Sequence, residues 1–185
     1  MNCQELTDQI EEYKPYNEQE EKDKRLILDW IRNNENAFSR ENTVAHMTAS
    51  AWVVNRERTR VLMVYHNIYN SWSWLGGHAD GEKDLLSVAV REVKEEAGLN
   101  VKAIRVIAIQ DRNLHNIPPY AYNVCKVFVL CEIESGSFRP NIETDESAYF
   151  GLEELPILAK EKNNEEQIKM CFSAYYDRNW QVLFD

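Results

Sequence analysis

The chain has 185 residues, 44% of them hydrophobic, which is typical of one globular domain with a sizeable core. Its formal net charge is -10 and it has no basic block, so we expect no nucleic-acid partner. It has no apolar run of about 18 residues and no C-x-x-C pair. Its first residues also lack the pattern of an export signal, so we expect no membrane span and a reducing, cytoplasmic location.

The first forty residues carry a helical pattern. Apolar residues recur at helical spacing until Pro15 interrupts them, and residues 17–20 resemble a variant of the capping box that begins a second helix. We therefore divide the chain into an N-terminal helical extension, residues 1–42, and a main domain, residues 43–185. The sequence leaves three roles open for the extension: covering the sheet, gating the site or forming a homodimer.

From residue 43 the apolar residues alternate, as they do in β-strands. Strands are predicted over residues 43–54 and 60–65, joined by a turn at 55–58. A short strand over 71–74 is predicted to lead into the pair Gly76-Gly77. The fold class expected from this mixture of helices and strands is a layered α/β domain.

A helix is predicted after the glycine pair. Asp84 suits its N-cap and Gly98 suits the position that follows its last turn. The apolar residues that share one face are expected to be buried: Leu86, Ala89, Val90, Val93 and Ala97.

Three glutamates form a stripe beside that face. Glu92, Glu95 and Glu96 stand at i, i+3 and i+4, where like charges cost a helix about 0.2–0.5 kcal/mol per pair. Only Arg91, four residues before Glu95, compensates locally. A divalent cation would supply the missing positive charge, and carboxylate oxygens are the ligands that Mg²⁺ prefers. A solvated acidic face is the alternative interpretation.

This stretch, residues 77–99, resembles the Nudix box, G-x5-E-x7-R-E-U-x-E-E-x-G-U, in which U is a bulky apolar residue. Eight positions match in register: Gly77, Arg91, Glu92, Val93, Glu95, Glu96, Gly98 and Leu99. One position departs, because Lys83 stands where the box has its first glutamate, and Glu82 lies one residue earlier.

The resemblance implies a Nudix-type α/β/α sandwich with a mixed sheet. It also implies hydrolysis of a diphosphate bond in a nucleoside diphosphate linked to another group X. The metal, Mg²⁺ with Mn²⁺ as the alternative, would be held by Glu92, Glu95 and Glu96. Glu95 and Arg91 are assigned to catalysis, Arg91 by holding the ligands in place. The substrate would contact Gly77, His78 and Trp74, the last by stacking on a base or sugar. A surface-loop histidine and a core tryptophan are the alternative interpretations of the last two.

The rest of the chain is predicted to hold strands over 101–110, 121–133 and 148–152, and a last helix that starts at 163–166. The strand over 121–133 is apolar on both faces, so we expect it to be central. The loop 111–120 is long enough to border a pocket.

An acidic segment precedes the strand over 148–152 and resembles the family's acidic loop. Glu146 is the first candidate in it for an extra metal ligand or general base, and Glu143 is the second. A solvated loop is the alternative interpretation. The strand histidines His46 and His66 are interpreted as structural.

Two other functions share such a box. Isopentenyl diphosphate isomerases use a cysteine upstream of it, and this chain has none between Cys3 and Cys125. Nucleotide-binding modules without activity usually lose box glutamates, whereas all three late glutamates are present here. Lys83 is the residue that favours such a module.

Overall fold

The computed structural model of the protein describes residues 3–57 and 59–185, so the predicted turn at 55–58 lies partly outside the described residues. Within them the helices are α1 (Cys3–Glu12), α2 (Glu18–Asn33), α3 (Leu85–Ala97), α4 (Arg112–His115) and α5 (Glu165–Tyr176). The strands are β1 (Ala45–Val54), β2 (Val61–His66), β3 (Ser71–Ser73), β4 (Leu75–His78), β5 (Leu99–Asp111), β6 (Asn123–Gly136), β7 (Thr144–Phe150) and β8 (Leu183–Phe184).

The described strands form one mixed sheet. Its order is β3-β2-β1-β6-β5-β8, with β4 paired to β1 and β7 paired to β2. β1 and β6 run parallel in an unbroken register from Ala45↔Asn123 to Val54↔Glu132, whereas β5 and β6 are antiparallel. The predicted mixed sheet with a central β6 is therefore confirmed.

Alternation along β1 separates two hydrophobic clusters. Met47, Ala49, Ala51 and Val53 belong to the cluster that contains the buried side chains of α3. Trp52 and Val54 belong to a second cluster, which contains the buried side chains of α5. Because successive side chains of a strand face opposite ways, helices cover both faces of the sheet. This is the expected α/β/α arrangement.

Both helices of the N-terminal extension contribute to the α3 side of the core. Leu6 and Ile10 of α1 and Leu28 and Ile31 of α2 are buried in the first cluster. The predicted cap of α2 is present, since the side chain of Asn17 accepts from the backbone N–H of Glu20. The extension thus packs against the same apolar core as the strands. The boundary at residue 42 stays a prediction.

Three elements near the C-terminal half differ from the sequence expectation. β7 begins at Thr144 instead of residue 148, because its polar first residues pair with β2, with Tyr65 opposite Glu146. The short helix α4 lies inside the predicted loop 111–120. β8 was not predicted, since a two-residue strand that depends on parallel pairing with β5 leaves no periodic signal.

Candidate active site

Helix α3 begins and ends as its caps predict. The side chain of Asp84 accepts from the backbone N–H groups of Leu86 and Ser87 at 3.1 and 3.3 Å. Gly98 adopts the left-handed conformation, with φ of 70°, and its N–H bonds the carbonyl of Lys94. The predicted buried face is correct in part. The fully buried apolar residues are Leu85, Val88, Ala89, Val93 and Ala97, while Leu86 and Val90 are only half-buried.

Glu92 lies directly against the backbone of β4. A Cβ built on Gly77 would overlap the Glu92 carboxylate, with the Cδ atom of Glu92 only 2.8 Å away. Arg91 donates from Nη2 to Glu92 Oε1 and to the carbonyl oxygen of His78, both at 2.9 Å. Burial raises the pKa of Glu92, and the Arg91 guanidinium opposes the rise. Gly77 and Arg91 therefore fix where this carboxylate sits.

Glu96 is the most deeply buried carboxylate of the stripe, with 2% of the residue exposed. Its Oε2 accepts from the Gly76 N–H and its Oε1 from Lys162 Nζ, both at 2.8 Å. His66 Nε2 lies 3.6 Å from the same Oε1. Burial raises the pKa of Glu96 against the opposing charge of Lys162. Burial acts to lower the pKa of Lys162, but its pairing with Glu96 outweighs this and the pKa of Lys162 is raised.

A distant loop is tied to the end of α3. The side-chain amide of Asn141 donates to the carbonyls of Glu95 and Glu96 at 3.2 and 3.1 Å, and the Thr144 hydroxyl donates to the Glu96 carbonyl at 2.6 Å. These bonds satisfy carbonyls that a helix end leaves without a partner. They also bring Glu143 to the glutamate stripe.

A cavity of about 550 Å³ opens between these elements, and the carboxylates that line it are Glu92, Glu95, Glu96, Glu143, Glu161 and Asp80, the last of which pairs with Arg40. We name four of them, Glu92, Glu95, Glu96 and Glu143, the carboxylate wall. The helix glutamates predicted as metal ligands therefore share one cavity. Glu95 is the most open of the three, with 62% of its side chain exposed.

The donor set at this wall fits a divalent cation. One ligand atom each from His66, Glu96 and Glu143 lie within 4.8 Å of one another. Carboxylate oxygens are hard donors, and burial has already raised the pKa of Glu92 and of Glu96. A bound cation would stabilise the charged forms of both.

A buried histidine, His46, and a half-buried one, His78, form a pair beside the wall. His78 lines the cavity, and its Nδ1 lies 3.0 Å from His46 Nε2. Burial and the nearby Arg40 lower the pKa of His78 to about 4. His66, interpreted from the sequence as structural, lines the cavity as well, and burial lowers its pKa to about 4.

Two predicted site residues lie elsewhere. Trp74 is 1% exposed and its ring meets Phe128 edge-on at 5.0 Å, so it packs in the core and does not stack in the cavity as predicted. Glu146 is exposed on β7 and is absent from the cavity lining, whereas Glu143 is part of it. A strand places alternate side chains on different faces, and the sequence did not reveal where β7 begins.

The departure from the box also lies outside the cavity. Glu82 is exposed, and its Oε1 accepts from the backbone N–H of Asp84 at 2.8 Å. Lys83 is likewise exposed and is not part of the cavity lining. Glu82 supports the start of α3 in this structure and does not join the carboxylate wall.

Sequence reasoning missed four cavity cations: Arg40, which pairs with Asp80, and Arg112, Lys126 and Lys162. Lys126 left a readable signal, because it is a charged residue inside the apolar run of the central strand β6. Arg112 begins the four-residue helix α4, and Arg40 and Lys162 lie between the named helices and strands, where a charged residue is ordinary.

The chain matches one protein family and several named proteins in sequence. Residues 44–171 match the NUDIX domain family. A Bacillus subtilis (strain 168) protein named "Putative ADP-ribose pyrophosphatase YjhB" is 29% identical over 126 residues, covering 68% of this chain and 61% of that protein. The human protein "Nucleoside diphosphate-linked moiety X motif 6" is 27% identical over 146 residues, covering 77% and 45%. The chain thus spans roughly half the length of these curated relatives.

Solved structures share the fold. A crystal structure of an ADP-ribose pyrophosphatase from Streptococcus suis 89-1591 has a TM-score of 0.68 at 38% identity, covering 75% of this chain and 98% of that one. A UDP-X diphosphatase structure has the same TM-score of 0.68 at 19% identity and covers 98% of this chain, so its likeness in fold includes the N-terminal helices. Among the described residues, no helix is both long and apolar enough to cross a membrane.

Proposed function

The chain belongs to the NUDIX family, and we propose that it is a metal-dependent hydrolase of a diphosphate bond in a nucleoside diphosphate linked to another group X. The observation that carries the proposal is the carboxylate wall, where box glutamates and Glu143 line one cavity. The names of the relatives, ADP-ribose pyrophosphatase and nucleoside diphosphate-linked moiety X motif 6, support a nucleotide-type diphosphate as the substrate.

We assign the metal, Mg²⁺ or alternatively Mn²⁺, to Glu92, Glu95 and Glu96, with Glu143 and His66 as further donors beside Glu96. When bound, the metal neutralises the diphosphate and makes a coordinated water more acidic. The buried position of Glu96 and the half-buried one of Glu92 suit this role, because a carboxylate with little access to water binds a cation with less competition.

The other side chains hold this wall in place. Arg91 fixes Glu92 and ties it to the carbonyl of His78, while the Gly76 N–H and Lys162 fix the two oxygens of Glu96. Gly77 leaves room for Glu92. These contacts position the ligands before substrate binds. The site then needs little rearrangement to reach the transition state, which lowers the activation free energy.

Glu143 replaces Glu146 as our candidate for the general base. Its side chain is exposed, lines the cavity and lies beside Glu96, so it can accept a proton from the attacking water. Glu95, which is also open to solvent, is the second candidate. His78, whose pKa is lowered to about 4, is neutral at pH 7 and can contact substrate only as a hydrogen-bonding group.

The direct test is hydrolysis of a panel of ADP-ribose, UDP-sugars and other nucleoside diphosphate derivatives in Mg²⁺, compared with the same panel after metal removal. We expect Glu92→Gln to lower kcat/KM by about 1,000-fold on any active substrate, since a ligand of the metal loses its charge. The matched control is Glu82→Gln, which changes an exposed glutamate of the same stretch outside the cavity and should leave activity unchanged.

Binding of a nucleotide by the wild type, with no turnover in Mg²⁺ or Mn²⁺, would replace this proposal by a binding module. Conversion of a diphosphate to its isomer with no release of phosphate would point to the isomerase class.

Two further expectations accompany the proposal. The packing of α1 and α2 supports the first role considered for the extension, covering the core, and light scattering of the purified protein decides whether it also forms a homodimer. The free thiols Cys125, Cys131 and Cys171 support a reducing, cytoplasmic location.

A further inference from the structure

Two buried cations line the cavity outside the Nudix box. Arg112 lies on α4 and is 2% exposed, and Lys126 lies on the central strand β6 and is 4% exposed. Neither contacts the carboxylate wall through an ion pair in the described part of the chain, and the proposed hydrolysis assigns no task to either. We refer to Arg112 and Lys126 together as the cationic wall.

Arg112 is held rigidly but is only partly satisfied. Its Nη1 donates to the carbonyl of Pro118 at 2.5 Å and to Asn113 Oδ1 at 3.2 Å. The guanidinium lies over the ring of Tyr120, 3.4 Å from the ring centroid, and Tyr120 lines the cavity too. The other terminal nitrogen, Nη2, is buried and has no hydrogen-bond partner among the described residues.

Lys126 donates only to neutral acceptors. Its Nζ donates to Asn116 Oδ1 at 3.0 Å and to the backbone carbonyl of Lys162. The same Nζ lies 5.1 Å from the ring centroid of Trp74 and 5.5 Å from that of Phe128. Burial, with Lys162 and Arg112 nearby, lowers the pKa of Lys126 well below its ordinary value.

The cationic wall therefore lacks an anion. Glu161, an exposed carboxylate that lines the cavity, forms no ion pair with Arg112 or Lys126, and the ammonium of Lys162 is occupied by Glu96. A buried charge without an opposite charge costs several kcal/mol and a neighbouring like charge repels it, and both penalties act against the charged form of Lys126. A bound anion would remove both penalties and could accept from Arg112 Nη2, since guanidinium groups suit phosphate oxygens.

We propose that Arg112 and Lys126 form a subsite for a phosphate group of the substrate, separate from the carboxylates that hold the metal. This inference rests on the proposed function for the identity of the ligand as a nucleotide diphosphate. It adds that Arg112 and Lys126 bind a phosphate group of the substrate directly, in addition to the contacts made through the metal. Lys162 joins the two walls, because its ammonium pairs with Glu96 and its carbonyl accepts from Lys126.

The experiment measures binding of inorganic phosphate to the full chain by calorimetry, after removal of metal on a chelating resin and at low ionic strength. We expect the wild type to bind phosphate, and Arg112→Gln and Lys126→Met each to raise Kd by about 10-fold or more, as loss of a charge-assisted hydrogen bond does. Arg112→Lys keeps a charge and should retain part of the binding. The matched control, Arg56→Gln, alters an exposed arginine outside the cavity and should bind like wild type.

Near-ultraviolet circular dichroism shows whether each variant is folded. If Arg112→Gln does not fold, Lys126→Met decides, because that change replaces a buried charge with an apolar side chain of similar length. Unchanged phosphate binding in the folded variants overturns the subsite. So does a wild type that binds uncharged adenosine but no phosphate, since the ligand would then be a neutral acceptor of the nucleoside.

Failure of this proposal is distinct from failure of the proposed function, because phosphate binding is measured without metal or turnover. An enzyme that hydrolyses the panel while both variants bind phosphate normally would retain its function and lose the subsite. A protein that binds phosphate through Arg112 but cleaves nothing would keep the subsite and lose the proposed hydrolysis.

Discussion

The carboxylate wall and the cationic wall line the same cavity but are built in different ways. Three of the four carboxylates come from one helix, and the residues that fix them include the adjoining Gly76, Gly77 and Arg91. The cationic wall combines a four-residue helix with the central strand, and its contacts reach Pro118, Asn116 and Lys162. The part of the carboxylate wall that lies on α3 is encoded in one short stretch and can be read from the sequence. Glu143 and the cationic wall are brought in by distant segments and cannot.

The walls also differ in how their charges are compensated. Glu92 faces Arg91 and Glu96 faces Lys162, so each of these two carboxylates has a cation beside it. Arg112 and Lys126 are bonded by neutral carbonyl and amide oxygens. The proposed metal would therefore join an arrangement that is already partly paired, whereas the proposed phosphate would supply the cationic wall with an anion that the chain does not provide.

The largest effect on activity is expected at Glu143, the one residue of the carboxylate wall that lies outside the Nudix box. Glu143→Gln removes the proposed general base and should lower kcat by about 100- to 10,000-fold. Glu146→Gln is its matched control, since Glu146 is exposed three residues away and does not line the cavity. If steady-state kinetics showed a large loss of kcat in Glu146→Gln and little loss in Glu143→Gln, Glu146 would be the general base.

A smaller effect is expected from the glycine that makes room for the carboxylate wall. A Cβ at residue 77 would displace the Glu92 carboxylate, and a displacement of about 1 Å at a reacting centre costs about 100-fold in rate. Gly77→Ala should thus lose activity while its urea midpoint changes little, because the atoms it meets end a flexible side chain.

Gly81→Ala provides the comparison for Gly77. Gly81 has open space around it but adopts φ of 90°, so the substitution should cost about 1–2 kcal/mol of stability and leave kcat nearly unchanged. Equal losses of activity in the two variants would show that backbone strain, and not the position of Glu92, governs the rate.

The smallest effect concerns the histidine beside the carboxylate wall. The pKa of His78 is lowered from 6.5 to about 4, so between these values the unfolded chain binds a proton that the folded chain does not. The stability that neutral His78 contributes is full above pH 6.5 and is lost as the pH falls toward 4. The free energy of unfolding in urea should fall between about pH 7 and about pH 5 in both proteins, and the fall should be about 1 kcal/mol smaller in His78→Gln than in wild type. Identical losses would contradict this.

The sequence predicted the features that local chemistry dictates. The caps Asp84 and Gly98, the glutamate stripe and the pairing of Arg91 with a neighbouring carboxylate all depend on residues close in the chain. The continuous apolar character of β6 indicated that it is a central strand. It did not reveal that β6 pairs in parallel with β1.

The remainder depends on contacts between distant segments. Trp74 was predicted to stack on the substrate because it lies beside the glycine pair. The local sequence does not show whether its side chain faces the core or the cavity. Glu143 was ranked below Glu146 because the bonds of Asn141 and Thr144 to the end of α3 decide which acidic residue enters the cavity. Arg112 and Lys126 meet only after β5 and β6 have paired.

Titration of Mn²⁺ into the metal-free protein, followed by electron paramagnetic resonance, tests the carboxylate wall most directly. We predict that the wild type binds Mn²⁺, that Glu96→Gln raises its Kd by about 10-fold or more, and that the exposed-site control Glu153→Gln leaves it unchanged. Mn²⁺ that stayed free in the wild type, or bound Glu96→Gln as tightly, would show that these glutamates do not hold a metal.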